Sequence, residues 1–110
     1  MIEDTIGKIE ARIQTADAIK DDRKQELLEL LGTLKAEVAK LSETHTEQAE
    51  SIAGFTERSA QEATRSEQNP QLLKLSIQGL NSSVGEFEKS HPQLVRIVNA
   101  ISHTLSNLGI

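Results

Sequence analysis

The chain has 110 residues, no cysteine, two aromatic side chains (Phe55 and Phe87) and a net charge of −5. This composition excludes disulfides, thiolate metal sites and cysteine nucleophiles. It also argues against nucleic acid as a partner, because phosphate contacts need a basic surface. Residues 1–66 hold 14 acids and 9 bases, and residues 67–110 hold 3 of each, so all the net acidity lies in the first part.

The length suits one helical domain, 1–110. The first segment carries Ile2, Ile6, Ile9, Ile13 and Ala16 at helical spacing. It predicts helix 1 over about 2–16, with Glu3 and Asp4 placed to favour the helix dipole. The pattern lapses around Thr15–Lys20. Asp22 and Gln25 then have the spacing of a capping box and open a second helix.

Helix 2 is predicted over about 22–66. Its apolar line runs Leu27, Leu31, Leu34, Val38, Leu41 and continues in the same phase through His45, Gln48, Ile52 and Phe55. This is a heptad register. No proline interrupts it. A rod of that length would span roughly 65–70 Å at ~1.5 Å per residue, against a radius of gyration of ~13 Å for a compact domain of this size. The expected architecture is therefore all-α and elongated: a helical hairpin or bundle with coiled-coil-like seams. His45 and Gln48 would form a polar layer in the seam, setting register and oligomer state. If buried, His45 would make assembly sensitive to mild acid.

The second half of this region has a parallel row of small residues, Ala49, Ala53, Thr56, Ala60 and Ala63. Such a row permits close helix approach. The favoured reading is that alanine, the best helix former, fills a solvated face. Residues 61–69 are expected to be frayed or looped.

Asn69-Pro70 marks the next start, an N-cap followed by proline at the first helical position. Helix 3, about 70–89, carries Leu73, Ile77, Leu80, Val84 and Phe87. Helix 4, about 92–108, carries Leu94, Val98, Ile101 and Leu105. Pro92 disfavours helical geometry at His91, while the apolar phase runs unbroken across it. Two helices meeting at a sharp break are preferred over one kinked helix. Gly109 is expected to cap the last helix, with Ile110 folding back on Leu105.

Phe87-Glu88-Lys89-Ser90-His91-Pro92, then Leu94, and Leu105 followed by Gly109-Ile110, form a pattern. It resembles a small bacterial helical family catalogued as domain of unknown function 4404. Residues 1–41 resemble the family's first half more loosely. The resemblance implies a small bacterial helical protein and brings no activity with it.

No residues suggest catalysis. His45, His91 and His103 are too far apart in sequence to present three or four convergent metal ligands. Ser90 and His91 read as a cap and a break rather than as a nucleophile and base. No catalytic, metal or cofactor site is assigned, and the protein is expected not to be an enzyme. Narrow apolar lines need another rod to cover them. The seam above, together with Leu94, Val98, Ile101 and Leu105, is therefore expected to pack within the chain or in a homodimer or tetramer. The expected function is a scaffold or protein-protein interaction module, with an unknown protein partner as a further possibility. Amphipathic binding to a lipid or polymer surface is the alternative. No run approaches the ~20 apolar residues of a membrane span, and the first residues lack the features of a signal peptide, so a cytoplasmic location is expected.

Overall fold

A computed structural model describes residues 2–17 and 19–108. The described residues form five α-helices: α1 (Ile2–Thr15), α2 (Asp21–Ser42), α3 (Thr46–Ala63), α4 (Pro70–Val84) and α5 (Pro92–Asn107). One 3-10 turn, Gly85–Phe87, follows α4. The described residues contain no strand. The all-α expectation holds.

The elongated shape does not. The molecule measures 37 × 24 × 21 Å with a radius of gyration of 12.9 Å. Placed end to end, α2 and α3 would reach roughly 60 Å at ~1.5 Å per residue, so α3 must turn back on α2. The predicted helix over 22–66 is two helices, parted at Glu43–His45.

Side-chain hydroxyls make this break without proline. Ser42 Oγ donates to the Ala39 carbonyl at 2.8 Å, and Thr46 Oγ1 donates to the Ser42 carbonyl at 2.9 Å. The His45 amide closes the turn on the Leu41 carbonyl at 2.8 Å. These bonds satisfy the carbonyls that a helix end leaves open, and they compete with continuing the helix. His45 then leaves helical geometry at φ −136°, ψ 65°.

α2, α3, α4 and α5 form a closed ring, each packed on the next and α5 returning to α2. α1 lies against α2 and α3. It buries Ile2, Ile6, Ile9 and Ile13. Lys24 Nζ donates to the Gln14 carbonyl at 3.2 Å and Lys35 Nζ reaches Glu10 at 3.5 Å, tying α1 to α2.

The small-residue row is buried, not solvated: Ala49, Ala53, Thr56, Ala60 and Ala63 all lie in the interior. Ile2 and Thr5 of α1 share one surface depression with Glu50 and Ala53 of α3, and Lys8, Ile9, Arg12 and Thr15 share another with Glu57 and Gln61. α1 thus runs along this side of α3, where small side chains leave room for a neighbouring helix. Thr56 is tolerated there because its hydroxyl donates to the Ile52 carbonyl at 2.8 Å.

Asn69 caps α4 as expected. Its Oδ1 accepts from the amides of Gln71 at 3.1 Å and Leu72 at 3.2 Å. The third predicted helix is shorter than 70–89: the α-helix stops at Val84 and only one 3-10 turn continues to Phe87. The break before Pro92 is real, so there are two helices and not one kinked helix. The proposed Gly109 cap lies outside the described residues. No helix among them is long and apolar enough to cross a membrane.

Candidate functional site

Two places gather residues singled out in the sequence. The first is the end of the bundle where α2 passes to α3 and α4 passes to α5. His91 has φ −137° and ψ 64°, within one degree of His45 in each angle. The His91 amide donates to the Phe87 carbonyl at 2.8 Å, as the His45 amide does to Leu41. Ser42 to Thr46 therefore builds the same break that Pro92 builds. The two histidines come together around Phe87: ring centroids lie 5.4 Å apart for His45–Phe87, 5.7 Å for Phe87–His91 and 6.4 Å for His45–His91. Phe87 is buried and His45 is exposed, with Nδ1 2.7 Å from Thr44 Oγ1. No group of three or more His, Asp or Glu side chains converges on a metal position among the described residues. The arrangement closes the end of the core with a buried phenyl ring.

The second place is the outer face shared by α3 and α4. Phe55, Leu72 and Leu75 are 41%, 37% and 55% exposed, the large apolar side chains left open to solvent among the described residues. Leu72, Leu75 and Gly79 stand three and four residues apart, so they share one side of α4. The Phe55 ring lies over Gly79. A Cβ there would sit 2.6 Å from Phe55 Cε1 and 2.8 Å from Cδ1. Gly79 is thus a seat for the ring. Gly79→Ala gains about 1 kcal/mol of helix propensity but pushes the half-exposed ring outward, so the net stability change should stay within about 0.5 kcal/mol. In a Phe55→Ala background the same substitution should stabilise by about 1 kcal/mol. Equal effects in the two backgrounds, measured by urea denaturation, would show that the ring does not rest on Gly79.

Beside this face lies a buried carboxylate. Glu62 is fully buried, and its Oε2 is 3.0 Å from Arg58 Nη2 and 3.1 Å from Arg65 Nη2. Neither contact is aligned as a hydrogen bond, and Glu62 Oε1 and Ser59 Oγ have no partner among the described residues. The attraction is Coulombic, from two half-exposed guanidinium groups on the same helix.

Among the predicted seam residues, Leu27, Leu31, Leu34, Val38, Leu41, Ile52, Leu94, Val98, Ile101 and Leu105 are buried within the chain itself. His45 and Phe55 are exposed and Gln48 is half-buried. The buried polar layer at His45 is therefore absent. After the turn at Glu43–His45, α3 is buried both along Ile52, Ser59 and Glu62 and along the Ala49–Ala53–Ala60 row, while Phe55 is left exposed.

The family described as "Domain of unknown function (DUF4404)" matches residues 27–110, well over half of the chain. The chain belongs to this family. No curated protein and no solved structure matches it.

The matched DUF4404 segment covers α3, α4, α5 and most of α2, and leaves α1 before it. It also contains an internal repeat that sequence reasoning missed. At a constant offset of 46 positions, Leu27 corresponds to Leu73, Leu31 to Ile77, Leu34 to Leu80, Val38 to Val84, Leu41 to Phe87 and His45 to His91. Every apolar member of these pairs is buried. The signal that could have revealed the break at His45 was this correspondence, together with the Ser/Thr cluster around it.

Proposed function

We propose that this DUF4404 protein is a non-enzymatic helical interaction module that associates with copies of itself. The observation that supports this reading is the α3–α4 face, where Phe55, Leu72 and Leu75 stay exposed although the other large apolar side chains among the described residues are buried or half-buried. Apolar side chains gathered on one face, rimmed by polar residues, suit a protein contact.

Arg58 and Arg65 beside the same face, and Lys74 on α4, give adsorption to a lipid surface as a second reading. Helices that lie in a membrane interface use a wider apolar face and several basic and Trp anchors. Three side chains fall short of that, so self-association is preferred.

Light scattering coupled to size exclusion tests this. The chain mass is 12.1 kDa. The expected result is a mass above this value that rises with protein concentration. A constant single-chain mass across the whole range would overturn the reading.

A further inference from the structure

We infer that the cleft between α1 and α3 binds a small zwitterion carrying one ammonium group and two negative charges. The inference is independent of self-association and concerns the other side of α3.

The cleft has a volume of about 510 Å³ and is lined by Lys8, Ile9, Arg12 and Thr15 of α1 and by Glu57 and Gln61 of α3. That lies within the ~300–1,000 Å³ of small-molecule sites. Ile9 is buried, Glu57 and Gln61 are half-buried, and Lys8 and Arg12 are exposed. Two cations thus stand on one wall, and a carboxylate with an amide stands on the other. They do not satisfy one another. Among the described residues none of Lys8, Arg12 and Glu57 is in an ion pair, and the Gln61 amide makes no side-chain hydrogen bond. Lys35 and Glu10, which join α1 to α2, do close to 3.5 Å.

The internal repeat shows how the same position is built without a cleft. At the 46-residue offset, Glu57 and Gln61 correspond to His103 and Asn107 of α5. Those two satisfy each other, with His103 Nε2 3.2 Å from Asn107 Nδ2. On α3 the corresponding pair is left without partners and faces two cations supplied by α1. One wall therefore belongs to the DUF4404 segment, and the other to the helix that precedes it.

The charges select the ligand. Lys8 and Arg12 stand four residues apart, so they share one side of α1 and repel each other. An anion would relieve this repulsion but would also meet Glu57. A simple cation would meet Lys8 and Arg12. A molecule with both signs suits both walls: its two negative charges accept from the Lys8 ammonium and the Arg12 guanidinium, and its own ammonium donates to the Glu57 carboxylate and the Gln61 amide oxygen. Two bases and one acid give the cleft a charge of +1, which the net −1 of such a ligand balances. The two negative charges come either from two carboxylates or from one phosphate monoester.

The test is a titration of the whole chain followed by amide NMR, with L-glutamate for the first source and O-phosphoethanolamine for the second. An open polar cleft and a ligand of about ten non-hydrogen atoms give an expected Kd of about 1 mM. At least one probe should shift the amide signals of α1 and of residues 57–61 saturably, and added salt should weaken it. Glutarate lacks the ammonium and 4-aminobutyrate lacks one negative charge, so each should bind roughly fivefold more weakly than glutamate, about what one exposed ion pair contributes. Glu57→Gln should remove the preference for glutamate over glutarate. Lys8→Gln with Arg12→Gln should abolish binding of either probe, and Lys89→Ala, exposed and remote in sequence, should leave it unchanged. An unaltered helical circular dichroism spectrum checks that each variant is folded. If neither probe shifts these signals at about 20 mM, some twenty times the expected Kd, the inference is overturned. It is equally overturned if binding survives the double substitution, or if glutarate binds as well as glutamate and O-phosphoethanolamine does not bind. A chain that stays at single-chain mass still takes the ligand, so the failure of one reading does not carry the other with it.

Discussion

Leu34→Ala should lower the stability of this protein by about 3 kcal/mol, within the range for deleting a fully buried leucine. Leu34 has no exposed surface, and neither has Leu80, its counterpart in the repeat. Truncating either removes the transfer energy of the lost methyl groups and leaves a cavity that the packed helices fill only in part. For a chain of this length the loss corresponds to a fall in Tm of roughly 10–15 °C. Leu80→Ala should match it closely. Leu75→Ala, by contrast, should change stability by less than about 0.5 kcal/mol, because its side chain is already half in water. Urea denaturation checks all three through the midpoint, with the slope unchanged. A Leu34→Ala cost no greater than that of Leu75→Ala would mean that α2 is not held in the core as described.

The second large effect concerns Glu62. Replacing Arg58 and Arg65 together by Met should cost about 2–3 kcal/mol. Removing the partners of a buried ion costs ~3–5 kcal/mol when the site is dry, and the half-exposed position of these arginines reduces that. Glu62→Leu should be neutral or mildly stabilising, because it removes the buried charge at similar volume. The repeat already places a leucine, Leu108, at the corresponding position. In the Glu62→Leu background the double arginine substitution should cost under about 0.5 kcal/mol. This cycle isolates the coupling. If the arginine substitutions cost the same with and without the carboxylate, then the carboxylate is not what these side chains stabilise.

These outcomes bear on why Glu62 stands where it does. The counterparts of Ser59 and Glu62 are Leu105 and Leu108. One half of the repeat thus has an apolar line down α5, and the other has polar groups down α3 next to the exposed Phe55. The departure from the repeat and the exposed apolar face coincide on the α3–α4 side. That is where a surface shaped for something other than packing its own bundle would be found.

Much of the secondary structure was legible in the sequence. The all-α class follows from apolar spacing of four and three in every segment. Asn69-Pro70 and Pro92 mark helix starts by local chemistry alone, since a proline ring restricts the residue before it whatever surrounds it. Leu27, Leu31, Leu34, Val38 and Leu41 are all buried on α2, and their spacing shows them as one apolar line because a single helix contains all five. The break at Glu43–His45 was missed because it has neither Gly nor Pro. Ser42, Thr44 and Thr46 tolerate a helix in isolation and end one only when their hydroxyls take the open carbonyls.

What the residues determined by themselves is which segments are helical and which side of each is apolar. Tertiary structure decided the rest. A heptad pattern states that a stripe must be covered but not by what, so an elongated pair and a folded ring satisfy it equally. Three residues of turn at Glu43–His45 selected the ring. That choice buried the alanine row that would otherwise have faced solvent, brought His45 beside His91, and left Leu72 and Leu75 outside. None of these placements is encoded locally, because each depends on which helix lies next to which.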